Sequence, residues 1–301
     1  MRSRNAIALA LFLAVLVGAA GTYTAYQRDI STIRAQVLGG SQVADTAAGK
    51  IEYAVAGTGT ALFSIHGAGG GYDQGLLIIS DLAGEGYKVI APSRFGYLRT
   101  PVPGDVSPAA QADAHAALLD SLGIDKAIVV GTSAGGPSAI QLALRHPKRV
   151  SALILLAPLG FAPAGPAPMP MNPLVLNVVQ SGSDFMYWSM LRASPSALYR
   201  LAGVTPEVVE QAGPDAKHFV GRVLGTMLPL SMRIRGLAVD AAVPLEPWPL
   251  EQISAPTLIV YPSGGHMFVG HAADVRKAVA GFLAQATANS ASAGGPGTTV
   301  Q

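Results

Sequence analysis

The sequence predicts an α/β fold, with a mostly parallel, doubly wound sheet and one inserted helical segment. Strand-like apolar runs alternate with helical patterns from Lys50 to Ala157, the order that yields parallel strands covered on both faces. The alternation lapses from Phe161 to about Leu250 and resumes at Pro256. Within the alternating part lies the tight turn Gly131-Thr132-Ser133-Ala134-Gly135-Gly136.

The elements follow in order. Ile51 to Ala56 alternates as a half-buried strand does, and Gly57-Thr58-Gly59 turns the chain. Ala61 to Ile65 is a buried strand that runs into His66-Gly67-Ala68-Gly69-Gly70-Gly71. A helix around Gln74 to Ala83, a strand over Tyr87 to Ala91 and a loop from Pro92 to Pro103 come next. Ser107 and Pro108 form a helix start, as N-cap and first-turn proline, for a helix reaching about Leu122. Lys126 to Val130 and Val150 to Ala157 are further strands. The insertion, at about 161–250, begins with proline-crowded chain and carries helices near 174–191, 206–212 and 217–227. Pro256 to Tyr261 returns to strand, and a last helix spans about Ala272 to Ala284. The stretch 287–301 is small, polar and Gly-rich, the composition of a disordered tail.

Half of the 301 residues are hydrophobic and 13% are charged, which allows a large core under a lightly charged surface. A net charge of +2 with no basic run argues against nucleic acid as a partner. The absence of cysteine excludes disulfides, cysteine nucleophiles and thiolate metal sites. Neither a metal nor an organic cofactor is implied.

Residues 1–27 read as a targeting element. Arg2 and Arg4 precede an uncharged run from Asn5 to Gln27, long enough for a bilayer, which takes about 20 residues of helix. Tyr23 and Tyr26 stand at its outer end, where aromatic side chains favour the interface. Two readings stay open: a membrane anchor with the remaining chain outside the cytoplasm, or a signal peptide cleaved near Gly18-Ala19-Ala20. Residues 28–49 read as a polar connector to a domain over 50–286.

The chemistry-bearing pattern centres on Ser133. Strand, G-x-S-x-G and helix in that order describe a nucleophile elbow, whose small residues let neighbouring backbones approach closely. The hydroxyl then stands at a helix N-terminus, where free N–H groups favour developing negative charge. The Gly-rich run after His66 offers backbone N–H groups of the kind that hold an oxyanion. Later, Ser263-Gly264-Gly265-His266 places a histidine on a loop after the last strand.

Together the HGAGGG, GTSAGG, APSRFGYLRT and GGHMFVGH segments resemble the α/β-hydrolase superfamily, in the same order, over about Lys50 to Ala284. The resemblance implies Ser133 as nucleophile, His266 as general base and an oxyanion hole from the N–H groups of Ala68 and Ala134, with Gly69 as the substitute for Ala68. His66 is then structural in its loop. His115, His146 and His218 read as packing or surface residues, and His271 is the rival base.

The sequence departs from the family at one point. Where the family runs from a strand through an acid-bearing loop, a helix and another strand to the histidine, this chain passes from Tyr261 to His266 directly. About two dozen residues are absent, the scale of a strand-plus-helix unit. The sheet is therefore expected to be one strand short, and the triad acid is unknown. Asp240, Glu246, Glu251 and Asp184 are candidate replacements off the family position, and Asp274 reads as a helix-start residue. The position after Ala157 holds Pro158-Leu159-Gly160 and no acid.

The resemblance implies a serine hydrolase acting on a small apolar substrate with an ester-like bond: a carboxylester, lactone or thioester. The insertion, read as a lid, offers Phe185, Met186, Trp188 and Met190 to a greasy pocket or to ordinary helix packing. Carbon–carbon bond hydrolases and cofactor-free peroxidase-like members share the serine. A truncated, catalytically silent homologue is the reading from another class.

Overall fold

The structure is a computed structural model that describes residues 2–82, 86–159, 172–243, 248–260 and 266–292. Seven strands form one sheet in the order β1-β2-β4-β3-β5-β6-β7. They are β1 (Gln42–Thr46), β2 (Gly49–Ala56), β3 (Thr60–Ile65), β4 (Tyr87–Pro92), β5 (Ala127–Thr132), β6 (Val150–Leu156) and β7 (Thr257–Val260). The pairs β1/β2 and β2/β4 are antiparallel, and every pairing from β4 through β7 is parallel. Among the described residues the sheet ends at β7, four residues long, as the expected loss of one strand requires.

Side-chain alternation along the strands divides the core in two. Phe63, Ile65, Val129, Leu153 and Leu155 face α3 (Pro108–Ser121) and α4 (Gly136–Arg145). Leu62, Ile128, Val130, Ile154 and Leu156 face α2 (Tyr72–Leu82) and α10 (Ala272–Ser292). Both sheet faces are thus covered, which is why the central strands are almost wholly apolar. The Ser107 hydroxyl accepts a hydrogen bond from the Ala110 N–H at 3.1 Å, the cap that the Ser-Pro pair announced.

The insertion contains α5 (Pro173–Ser181), α6 (Asp184–Ala193), α7 (Pro206–Ala212), α8 (Pro214–Gly225) and α9 (Ile234–Ala242). It has its own core, built on Val178, Tyr187, Leu198, Tyr199, Val220 and Leu224. The single helix expected near 174–191 is two helices. Gly182 takes the left-handed conformation (φ 64°), and Ser183 caps α6 by accepting from the Met186 N–H at 3.3 Å. Its proline-crowded start, 160–171, lies outside the described residues.

The polar connector expected at 28–49 is replaced by ordered structure. α1 (Arg2–Gly39) runs unbroken from the apolar N-terminal stretch to Gly39, and β1 pairs with β2. Ile30, Ile33 and Val37 recur at helical spacing, and Ile30 and Val37 are buried while Arg28, Asp29 and Arg34 carry the polarity. The amphipathic pattern is short and half polar, so composition hid it. The last helix also continues past the expected end, to Ser292, and residues 293–301 lie outside the described part.

Candidate active site

Ser133 follows β5 directly, at φ +50°, in a single 3-10 turn that leads into α4. The flanking glycines are sterically required. A Cβ at Gly131 would meet Ala139 Cβ at 2.5 Å, and one at Gly135 would meet the carbonyl oxygens of His66 and Ile65 at 2.6 and 2.7 Å. The Gly-rich loop after β3 passes beside the serine, since a Cβ at Gly67 would lie 3.2 Å from Ser133 Cβ. Ala134 sits in the first turn, where backbone N–H groups lack a partner further back in the helix.

Two N–H groups of the Gly-rich loop were candidates for an oxyanion, and they differ. Gly69 donates to the Tyr97 hydroxyl at 3.1 Å. Ala68 is exposed, and its N–H has no partner among the described residues. The resemblance's first choice is therefore the one left available. His66 is a structural residue. Its Nε2 accepts from the Arg94 N–H at 3.0 Å, which leaves the proton on Nδ1 to donate to the Gly67 carbonyl at 2.7 Å. Burial and the nearby Arg94 charge keep that ring neutral by holding its pKa well below the usual range.

His266 lies after β7, but its backbone is held by the insertion. Its N–H donates to the Gly203 carbonyl at 3.1 Å, and its Cβ packs where a Gly203 side chain would stand. His266 and Thr132, the neighbour of Ser133, line one cavity of about 540 Å³. Phe219 and Phe268 make part of its wall, and Asp215, His218 and Arg222 bring charge and polarity from α8. Among the described residues no hydrogen bond joins His266 to Ser133, and a catalytic contact commonly tightens only when substrate binds.

No carboxylate hydrogen-bonds to His266 among the described residues, and burial alone lowers its pKa. Asp240 is committed elsewhere: Arg94 pairs with it at 2.6 and 2.8 Å, and the Tyr97 hydroxyl donates at 2.5 Å. Asp184 binds Arg34 at 2.6 Å and the Ser231 N–H and hydroxyl at 2.8 Å. Glu251 is exposed on a turn, Asp274 stands 3.7 Å from the His271 ring in the first turn of α10, and Glu246 lies outside the described residues. His115 is buried edge-on to Phe63 and His146 pairs with Asp113 at 2.7 Å, so both are packing or surface residues.

Four site neighbours are not visible in the sequence: Gly203, Asp215, Arg222 and the Tyr97 link. Among the described residues Arg222 has no ion-pair partner, although it faces the cavity. None of the four carries a local motif. Arg222 lies on the cavity side of an amphipathic helix that reads as ordinary lid.

Comparison with known proteins adds a family and relatives. The family model described as alpha/beta hydrolase fold matches residues 60–220. A 2-hydroxy-6-oxo-6-phenylhexa-2,4-dienoate hydrolase of Comamonas testosteroni is 30% identical over 165 residues, 53% of this chain and 57% of that one. One of the same description from Burkholderia cepacia is 36% identical over 126 residues, 40% and 44% of the two chains. The chain thus spans about half the length of these curated relatives. An α/β-hydrolase fold protein from Nakamurella multipartita superposes with a TM-score of 0.60 at 29% identity, over 80% of this chain and 86% of that one.

Proposed function

Since the chain belongs to the α/β-hydrolase fold family, we propose that it is a serine hydrolase that cleaves a carbon–carbon bond next to a ketone, in a small acid of the dienoate type. The observation that carries the substrate class is the similarity to hydrolases named for oxo-dienoates, strengthened by Arg222 on the cavity wall, which has no ion-pair partner among the described residues and suits a substrate carboxylate. Ser133 adds to the ketone carbonyl as His266 takes its proton. The N–H groups of Ala68 and Ala134 hold the oxyanion. The dienol has by then ketonised, its hydroxyl proton leaving and the carbon beside the ketone gaining one, so collapse breaks the carbon–carbon bond, its electron pair enters the conjugated 2-oxo-enoate as a dienolate, and that fragment takes up a proton on oxygen. Water then releases the acyl group from Ser133.

A second reading, ester hydrolysis, is favoured by the missing acid. An ester's leaving group departs more readily than carbon, so it demands less of a histidine to which no described carboxylate is bonded. One experiment separates the two. The purified chain is given 2-hydroxy-6-oxo-6-phenylhexa-2,4-dienoate and, separately, a p-nitrophenyl ester. Benzoate release that is lost in Ser133→Ala supports the carbon–carbon reading, and ester turnover without benzoate release replaces it.

We also infer that α1 anchors the chain in a membrane, with the catalytic domain outside the cytoplasm. Its apolar stretch is exposed throughout its described side chains and long enough to span. The helix continues unbroken past Gly18-Ala19-Ala20 into a segment that packs on the insertion, and this favours the anchor over the cleaved signal.

A further inference from the structure

The anchor helix and the lid form one body at a particular depth. The uncharged stretch from Asn5 to Tyr26 has 22 positions, about 33 Å of helix at 1.5 Å each, against a hydrocarbon layer of about 30 Å. At the end of that length α1 meets α6. Tyr26 packs edge-on to Phe185 (5.1 Å between ring centroids) and Trp188 (5.6 Å), and Tyr23 lies 6.4 Å from Phe185. One turn further on, ion pairs close the joint: Asp29 takes Arg192 at 2.7 Å and the Trp188 N–H at 3.0 Å, and Arg34 takes Asp184 at 2.6 Å.

The exposed side chains follow the same line. Among the described residues of the insertion, the large apolar side chains left open are Leu174, Phe185 and Met186, at 57, 39 and 42% exposure. Phe185 and Met186 lie on α6, which packs against the helix that carries the apolar stretch, and Leu174 lies on α5, which packs against α6, while α7 and α8 beside the cavity expose no large apolar side chain. Tyr23 is 55% exposed at the same level. An apolar patch that continues an apolar spanning helix, with tyrosine and tryptophan at the junction and ion pairs just beyond, has the layering of a membrane interface.

We propose that the lid helices α5 and α6 rest in the interfacial layer of a phospholipid bilayer, as a second membrane contact beside α1. This rests on the anchoring reading and is independent of the reaction. It places the insertion, whose Gly203 turn also holds His266, against the lipid, so an apolar substrate dissolved in the membrane meets the lid first.

The natural absence of cysteine makes the test direct. Single variants Phe185→Cys, Met186→Cys, Leu13→Cys and Asp125→Cys of the full chain are labelled with an environment-sensitive fluorophore. They are then reconstituted into phosphatidylcholine–phosphatidylglycerol vesicles, with circular dichroism as the folding check. Asp125 is exposed just before β5, at the sheet end away from the lid. The proposal expects blue-shifted emission at positions 185 and 186, quenched by nitroxide carried near the lipid headgroup. It expects quenching at 13 by nitroxide deep in the acyl chains, and none at 125. Quenching at 13 alone overturns it, as does no quenching at any position. A blue shift at 185 and 186 that lipid nitroxide leaves unquenched also overturns it and assigns the patch to a second copy of the chain. Ser133 labelling by a fluorophosphonate in the same vesicles reports separately on the hydrolase reading.

Discussion

Replacing Gly203 by alanine tests whether the insertion positions the base. Gly203 has φ +67°, and an added methyl group would occupy the space of His266 Cβ. Carbon atoms rest about 3.5–4 Å apart, so His266 would have to withdraw by roughly 1 Å or more. A displacement of that size at a catalytic group costs about 100-fold in rate. The left-handed backbone adds about 1–2 kcal/mol of strain. In a domain of this size each kcal/mol lowers Tm by about 2–4 °C, so a fall of roughly 2–8 °C is expected. The assay is the second-order rate of Ser133 labelling by a fluorophosphonate, measured well below the lowered Tm. The expected result is a folded variant that labels about 100-fold more slowly. A variant with the lower Tm but a labelling rate within about twofold of the parent, far short of that loss, would mean that His266 does not act from its Gly203 seat.

Three other perturbations follow from the same geometry. Tyr97→Phe strands the buried Gly69 N–H at a cost of about 1–3 kcal/mol, whereas Asp240→Asn leaves the buried Arg94 cation uncompensated at about 3–5 kcal/mol; urea unfolding should rank them in that order. Arg222→Ala should raise KM for a dienoate acid by about 10-fold or more, the worth of one hydrogen bond to a charged group, and leave KM for a neutral p-nitrophenyl ester unchanged. His115 is buried with its pKa lowered to about 3, and His66 is lowered too. Both rings are neutral in the fold and protonate in the unfolded chain near pH 6.5. Their stabilisation is therefore complete above that pH and lost as pH falls, by about 1.4 kcal/mol per pH unit for each ring. Tm measured at pH 7 and pH 5 should fall more steeply for the parent than for His115→Leu.

The elbow was legible because its geometry dictates residue types. Only glycine fits at 131 and 135, where Ala139 and the carbonyls of β3 and the following loop press in. The central strands were legible because both sheet faces are covered, so their residues are continuously apolar. The end of α1 and β1 were not, since one is half polar and the other mostly exposed. Asp240 was visible as an unplaced acid, but its role depends on Arg94 and Tyr97, which lie 146 and 143 positions away. The seat of His266 on Gly203 is likewise a contact between the insertion and the loop after β7, and no local pattern encodes it. The departure from the family was legible as a gap: β7 is the last strand of the described sheet, and among the described residues no carboxylate hydrogen-bonds to the buried His266.

On the proposed reading Ser133 is a working nucleophile served by His266, to which no carboxylate is bonded among the described residues. Mass mapping of fluorophosphonate adducts on the full chain in detergent, beside Ser133→Ala and His266→Ala, tests it most directly. The expected result is a single adduct on Ser133, absent from Ser133→Ala and strongly slowed in His266→Ala. A chain that is folded by circular dichroism and forms no adduct on Ser133 would contradict it, and would make this protein a catalytically silent member of its family.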